Sequence, residues 1–374
     1  MWLKQIRLEG IRNLVSLELS FDKVANYFVG DNGAGKTSLL EAIHLLAVGR
    51  SFRTSREQEV LKISAPYWKI TGSVVDQDTQ GGEVVTTGEI RFVDNTKTTF
   101  LHGIKQEKLS SYLGWLPVVT ILLADIELIS GAPQIRRNFI DLAISKINKN
   151  YLKNLINYRH ILIQRNKLLQ ENADDNLYEA WEADLAKYGS LIFQDRQKFL
   201  PILILFAEKF YSVFMPDQKI TFEYKTNLSF DAQSKGANKI QNQLLNLLKT
   251  YRLKEKELGH TVVGPHRDEI VVKKGGLSIR RFGSEGEIRL AGLSLKLAEA
   301  ELLAKYHRHP IFLLDEIAAE LDTSNVQKLF GLIKNQFFYA TTKFEIIDKI
   351  TKIIPRGKVF FIENGKVKKI ETIG

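Results

Sequence analysis

"VGDNGAGKTSLLEA", residues 29 to 42, is the stretch from which the rest of this chain is read. Gly30, followed by Gly35, Lys36 and Thr37, fits G-x-x-x-x-G-K-[ST], the spacing that wraps a loop around a polyphosphate. Such a loop aims successive backbone N–H groups inward and opens onto a helix N-terminus, where the peptide dipoles favour negative charge. The flanks supply the context the motif needs. "VANYFV" (24–29) is a short apolar strand, and 36–49 carries Leu39, Leu40, Ile43, Leu46 and Ala47 at helical spacing before stopping at Gly49. The expected ATP-binding set is Gly30, Asp31, Asn32, Gly33, Ala34, Gly35, Lys36, Thr37 and Ser38. Lys36 would reach the β/γ-phosphates and the Thr37 hydroxyl would enter a Mg²⁺ shell.

A phosphate cradle hydrolyses nothing without an acidic partner strand. "PIFLLDEIAAELD" (310–322) supplies one: an apolar run leads into Asp315, placed at a strand's C-terminal edge to hold Mg²⁺ through water. Glu316 follows, where a general base can polarise the attacking water. "FGSEGEIRLAGLSLKLAEAELL" (282–303) then places Ser284, Gly286 and Glu287 at the head of a long amphipathic helix. A serine with a glutamate three residues on is a capping box, which presents a helix N-terminus and a hydroxyl together. Such a terminus binds a γ-phosphate well.

Composition bounds what the ATP could serve. The chain has 374 residues, 44% hydrophobic and 26% charged, in the range of globular proteins. No apolar run approaches the roughly 18 residues that span a bilayer, and "MWLKQIRLEGIRNL" has no signal-peptide core. Cysteine is absent, which excludes disulfides, thiolate zinc sites and a cysteine nucleophile, and a cytoplasmic setting is expected. Lys and Arg number 53 against 43 Asp and Glu, a net +10 that favours a polyanionic partner.

Along the chain the texture changes twice. "WLKQIRLEG", "LVSLELSF", "WKITGSVV", "GEIRFV" and "TTFLHGI" read as strands around the P-loop helix, and "PVVTILL" (117–123) as a strand covered on both faces. From Ala132-Pro133 onward the pattern is helical. Tyr151, Leu155, Tyr158, Leu162 and Leu169 form one stripe, interrupted only at Arg165. Trp181, Leu185, Tyr188, Ile192 and Phe199 form a second stripe after the polar break 171–176, which predicts an antiparallel helical hairpin ending near Pro216. From about 217 the α/β texture returns with "KITFEY", "EIVVKK", "IFLLD", "FFYAT" and "KVFFIENGKVKKI", and with helices over 238–256, 285–306 and 323–335. The P-loop strand and this last segment are expected to share one sheet.

The order of P-loop, helical insertion, S-x-G-E helix, Asp-Glu and Glu-Leu-Asp resembles the ABC-type ATPases of the SMC and RecF superfamily. Five runs narrow the resemblance to the RecF family of bacterial recombinational repair proteins: "IRLEGIRNL" (6–14), 33–59, "ELISGAPQIRRNFID" (127–141), "VVGPHRDEI" (262–270) and "LSLKLAEAELLA" (293–304). The resemblance implies an α/β ABC-type head with mixed sheets and a P-loop core, formed by 1–131 and 217–374, with a helical arm, 132–216, inserted in it. It implies that Ser284, Gly286 and Glu287 cap the ATP of a second copy and that the loop at Asp322 meets its mate across a two-fold axis. It further implies a weak, DNA-stimulated ATPase that dimerises on ATP, binds single-stranded, double-stranded and gapped or junction DNA, and works with RecR and RecO in loading RecA. Repair, replication restart and the SOS response would be its settings. Three residues depart from the pattern: Ala124 stands where the family usually has proline, Asn325 where a basic residue usually follows Glu-Leu-Asp, and Glu316 where many relatives carry Asp after the Asp of that strand.

Two basic runs are candidates for DNA. The segment 142–170 holds Lys146, Lys149, Lys153, Arg159, Arg165 and Lys167 without one acid, and "GRSFRTSR" (49–56) holds Arg50, Arg53 and Arg56 just past the P-loop helix. With no aromatic platform, backbone and shape recognition is expected. In "GPHRDE", His266 and Arg267 either reach across a dimer or cap a turn, and both readings stand. The competing function is the ATPase subunit of another SMC-like complex or of a transporter. A transporter subunit would carry LSGGQ and a histidine after the strand following Asp315-Glu316, where this chain reads "YATTKFE" (339–345).

Overall fold

The apolar run ending at Val29 forms β3 (Ala25–Val29), with all five residues buried. A strand with no polar face must be covered on both sides, and a parallel sheet provides that. In the computed structural model, which describes residues 1–63, 65–77, 81–228 and 237–374, β3 lies in a six-stranded sheet. Its other members are β8 (Val118–Leu122), β12 (Ile311–Asp315), β13 (Phe337–Thr341), β14 (Gly357–Glu363) and β15 (Lys366–Ile373), in the order β15-β14-β3-β13-β12-β8. All neighbours run parallel except β14 and β15, an antiparallel hairpin turned at Asn364 and Gly365, both at positive φ. The P-loop strand and the C-terminal segment therefore share one sheet, as expected. The register aligns Asp315 with Ala340 and Thr341 with Val29, so β3 and β12 end level with each other across β13.

A second, wholly antiparallel sheet orders β2 (Leu17–Ser20), β1 (Trp2–Glu9), β4 (Tyr67–Gln77), β5 (Glu83–Val93), β6 (Thr96–Leu101) and β7 (Ile104–Gln106). The run read as one strand, "TTFLHGI", is split by a two-residue turn at His102 and Gly103, both at positive φ, into β6 and β7. Helix α1 (Lys36–Val48) contacts strands of both sheets, and every residue in it except Thr37 is buried. Leu39, Leu40, Ile43, Leu45 and Leu46 fill this core, and the polar Lys36, Ser38, Glu41 and His44 are buried beside them. Each fully buried Leu or Ile there contributes roughly 1.5–3 kcal/mol. Phe21, Phe28, Phe338 and Phe360 pack together nearby, with Phe21 and Phe338 edge to face at 4.7 Å.

Contacts divide the chain into one unit of Met1–Asp125 with Glu299–Gly374 and a second of Ile126–Ala298. The second unit contains α2 (Pro133–Ile147), α3 (Lys149–Gln170), α4 (Tyr178–Phe214) and α5 (Ala237–Leu258). It also holds a small sheet of β9 (Ile220–Lys225), β10 (Glu269–Lys274) and β11 (Leu277–Ser278). The expected hairpin is α3 and α4. Its antiparallel sense is plain from the pairs Tyr151–Arg196 and Arg165–Glu182, whose numbers rise on one helix as they fall on the other. This unit is larger than an arm of 132–216, because α5 packs along α3 and α4 and β9 packs on α4.

The hairpin interior is not purely apolar. Arg165 is fully buried, donating to Glu182 and pairing with Glu255 at 2.8 and 2.7 Å. Arg196, also buried, donates to Asp141, Asp268 and the Pro265 carbonyl, each at 2.7 Å. A buried pair of this kind is weak evidence for net stability, but removing one partner strands a charge. The sequence reading of 142–170 as a one-sign surface run is corrected here. Arg165 occupies a stripe position and turns inward, and Lys146 is buried as well. Glu182 and Glu255, on other helices and invisible within the run, draw Arg165 in.

Candidate nucleotide-binding site

Residues 30–35 leave the end of β3 and deliver Lys36 as the first residue of α1. Only glycine suits two of these positions. A Cβ on Gly30 would sit 2.1 Å from the Ile362 carbonyl oxygen on β14, and Gly35 adopts φ +115 at the helix cap. Lys36 is buried and donates to the carbonyls of Gly30 and Asp31 at 2.8 and 3.0 Å, with Glu316 3.8 Å away. Its ammonium is thus held inside the loop, over the place where phosphate oxygens would replace those carbonyls.

Because β3 and β12 end level, Thr37 and Asp315, 278 positions apart, face each other: Thr37 Oγ1 donates to the Asp315 carboxylate at 3.0 Å. Burial raises the Asp315 carboxyl, opposed by the Thr37 hydrogen bond and by the charges of Lys36 and Arg53. Glu316 follows at φ +51, a left-handed conformation uncommon for a non-glycine residue and found where a site holds strain. Burial raises its pKa too, with Lys36 opposing. Its Oε1 is buried without a hydrogen-bond partner among the described residues and lies 3.8 Å from Lys36 Nζ. A hydroxyl and a carboxylate side by side are hard oxygen donors that suit Mg²⁺, which takes its remaining ligands from phosphate and water. Among the described residues no group of three His, Asp or Glu gathers for an all-protein metal site.

The cavity over this edge measures about 740 Å³, within the roughly 300–1,000 Å³ usual for small-molecule sites. Two of its lining residues, Arg12 and Asn13, carried no role in the sequence reading. Asn13 donates to the Gly33 carbonyl at 2.7 Å and accepts from Ser38 Oγ at 3.2 Å. The signal was present in "IRLEGIRNL", but only the turn after β1 brings it to the P-loop.

The other candidates divide. Ser284 and Gly286 are exposed at the head of α6 (Glu285–Lys305), and the capping box forms: Ser284 N–H donates to Glu287 at 2.8 Å, and Glu287 N–H to Ser284 Oγ at 3.3 Å. Asp322 caps α7 (Thr323–Leu332), accepting from the Asn325 backbone at 2.8 Å and from its side chain at 2.6 Å. Asn325, the departure from the family pattern, therefore takes up that carboxylate. Arg50, Arg53 and Arg56 are all exposed; Arg53 also pairs with Glu41 at 3.5 Å and lines the nucleotide cavity, and Arg56 lies beside Glu59. Lys149 and Lys153 are exposed, Arg159 is half held by Asp141 at 2.8 Å, and Lys146 is buried. Phosphate contact by Lys146, expected from its place in the basic run, does not fit that burial.

For His266 and Arg267 the turn reading fits. Arg267 Nη2 donates to the Thr261 carbonyl at 2.7 Å. His266 Nδ1 meets Tyr158 Oη at 2.7 Å and its Nε2 lies 3.1 Å from the Thr261 carbonyl. A ring that accepts from a hydroxyl at one nitrogen and donates to a carbonyl from the other is neutral. Some ring surface is open, but both nitrogens are engaged; burial, with Arg267, Arg137 and Arg196 nearby, pushes His266 down to about 3.

The family described as the RecF/RecN/SMC N terminal domain matches residues 2–366. The DNA replication and repair protein RecF of Streptococcus suis (strain 05ZYH33) is 36% identical, with 99% of this chain and 100% of that protein covered. The RecF of Latilactobacillus sakei subsp. sakei (strain 23K) is 33% identical over 98% of each chain. Among solved structures, the recombination mediator protein RecF-ATPrS of the RecFOR pathway superposes with a TM-score of 0.88 at 30% identity, covering 100% of this chain and 98% of that one. An SmcHead bound to the C-winged helix domain of ScpA, at 17% identity and a TM-score of 0.59, shares the fold. No helix among the described residues is long and apolar enough to cross a membrane.

Proposed function

This chain belongs to the RecF family, and on that premise we propose that it is an ATP-driven DNA clamp: two copies close on ATP, hold DNA, and part after slow hydrolysis. One observation carries the reading. Lys36 and Thr37 of the P-loop meet Asp315 and Glu316 of a distant strand at one sheet edge, with Thr37 Oγ1 3.0 Å from Asp315. In this role the amides of 30–38 cradle the phosphates and Lys36 neutralises them. Thr37 and Asp315 would hold Mg²⁺, which supplies charge neutralisation on the transferring phosphoryl group. Glu316 takes a proton from the attacking water as the bond to the γ-phosphate breaks. Ser284, Gly286 and Glu287 cap the γ-phosphate of the second copy, and Asp322 lies in the loop facing its mate. The DNA is single-stranded, double-stranded or gapped, and RecR and RecO are the partners through which RecA loading, repair, replication restart and SOS induction follow. The setting is the bacterial cytoplasm.

Glu316→Gln tests the switch, since it keeps the shape and removes the base. Hydrolysis should fall by roughly 10²–10⁴-fold, while ATP still binds and the dimer persists in gel filtration with ATP. Hydrolysis at the wild-type rate would place the base elsewhere.

For DNA, the exposed Lys149 and Lys153, with Arg50 and Arg56, are the candidate phosphate contacts. Replacing Lys149 and Lys153 with alanine should flatten the plot of log K against log [salt] by about 0.9 for each lysine that meets a duplex phosphate. An unchanged slope would make them a solvated helix face.

A further inference from the structure

Glu41 stands six residues into the motif helix and is fully buried. A carboxylate there needs compensation, because burying a charge without partners is costly. It is compensated from two separate loops. Arg12 donates its Nε and Nη2 as a fork, at 2.9 and 2.7 Å. Ser51 Oγ donates as well, and Arg53 Nη1 lies 3.5 Å away. Ser51 in turn accepts from the backbone N–H groups of Arg53 and Thr54, at 2.9 and 3.2 Å, shaping the turn that carries Arg53. Arg12 sits at φ +47, with its N–H on the Val60 carbonyl at 2.8 Å, a conformation that persists only when its surroundings enforce it. Both arginines line the nucleotide cavity, and Arg53 is near enough to Asp315 to oppose the rise of its pKa.

The geometry points to Glu41 as a positioning residue: it never faces the cavity, but it holds Arg12 and Arg53 at the mouth of the phosphate cradle, so that a nucleotide entering beside Lys36 meets three preset cations. The inference rests on the reading that this cavity binds ATP. Its physical content is preorganisation. A free arginine gives up side-chain entropy when it meets a phosphate, and one already fixed by a buried acceptor does not. The carboxylate also belongs to the same helix as Lys36 and Thr37, so the three cations keep one spacing. Arg53, expected from the sequence to meet DNA, is on this account a nucleotide-facing group.

The test is a nucleotide titration of Glu41→Gln, Arg12→Lys, Arg12→Ala/Arg53→Ala and the triple variant, with ATP and AMP. Glu41→Gln should weaken ATP on the order of tenfold, about the worth of one charge-assisted hydrogen bond. AMP should weaken less, because the lost positioning acts on phosphates, whereas general damage would weaken both alike. Arg12→Lys keeps the charge and loses the fork, so it should also weaken ATP, and it answers the question if Glu41→Gln does not fold. In the double-alanine background Glu41→Gln should add nothing. Wild-type ATP affinity in both Glu41→Gln and Arg12→Lys, or an equal loss in the double-alanine background, would overturn the inference. Lys36→Ala in the same series separates the premise: if it retains ATP, the nucleotide reading itself fails; if it alone loses ATP, only the role of Glu41 fails.

Discussion

Lys36→Ala should cost this protein ATP binding and leave its fold in place. The ammonium is buried and makes two hydrogen bonds, to the carbonyls of Gly30 and Asp31. Those are the contacts it would exchange for phosphate oxygens. Charge-assisted hydrogen bonds of this kind are worth about 1.5–3 kcal/mol each, so losing two corresponds to roughly 10²–10⁴-fold in affinity. The fold should survive for a local reason. Gly30 is fixed by the close passage of β14, and Gly365 N–H donates to the Ala34 carbonyl at 2.8 Å, so the loop's shape does not hang on the lysine. Isothermal titration with ATP, beside a thermal melt, checks both halves. Normal affinity would sink the P-loop assignment.

Ser284→Arg should separate a two-chain switch from a one-chain ATPase. The capping box leaves Ser284 and Gly286 exposed, and a Cβ on Gly286 would meet nothing within 4 Å, so the head of this helix is open to an incoming phosphate. An arginine there opposes the helix dipole and fills the slot. If Ser284 serves the ATP of a second copy, the variant should bind ATP nearly as well as the wild type, since its own P-loop is untouched. Dimerisation, hydrolysis and ATP-stimulated DNA binding should fall together. Mixing it with Lys36→Ala protein gives the sharper result. Each mixed dimer then has one composite site with Lys36 and Ser284 both intact and one doubly broken site, so partial ATPase activity should return. Failure of that rescue, with a Ser284→Arg protein that still dimerises on ATP, would put the active site within one chain and remove the clamp.

Much of this protein is legible from its residues in order. The P-loop, the apolar strand into Asp315-Glu316, the Ser284–Glu287 cap and the α3–α4 hairpin are written in short periods and fixed spacings. Local sterics and hydrogen bonding are enough to set them. The buried strands were legible too, because a run such as "PIFLLD" has no face to give to water.

The tertiary structure decided which way the charges point. Arg165 looked like one of six surface cations, yet Glu182 and Glu255 draw it fully inside. Arg53, read from the sequence as a DNA contact, lies 3.5 Å from Glu41 and lines the nucleotide cavity. Arg12 had no assigned role until the turn after β1 carried it to the P-loop, and His266 meets the hydroxyl of Tyr158, 108 positions away, which no local pattern announces. Periodicity records whether a position is covered. A charged side chain can occupy a covered position only with a partner, and here those partners come from other elements, out of reach of any local pattern.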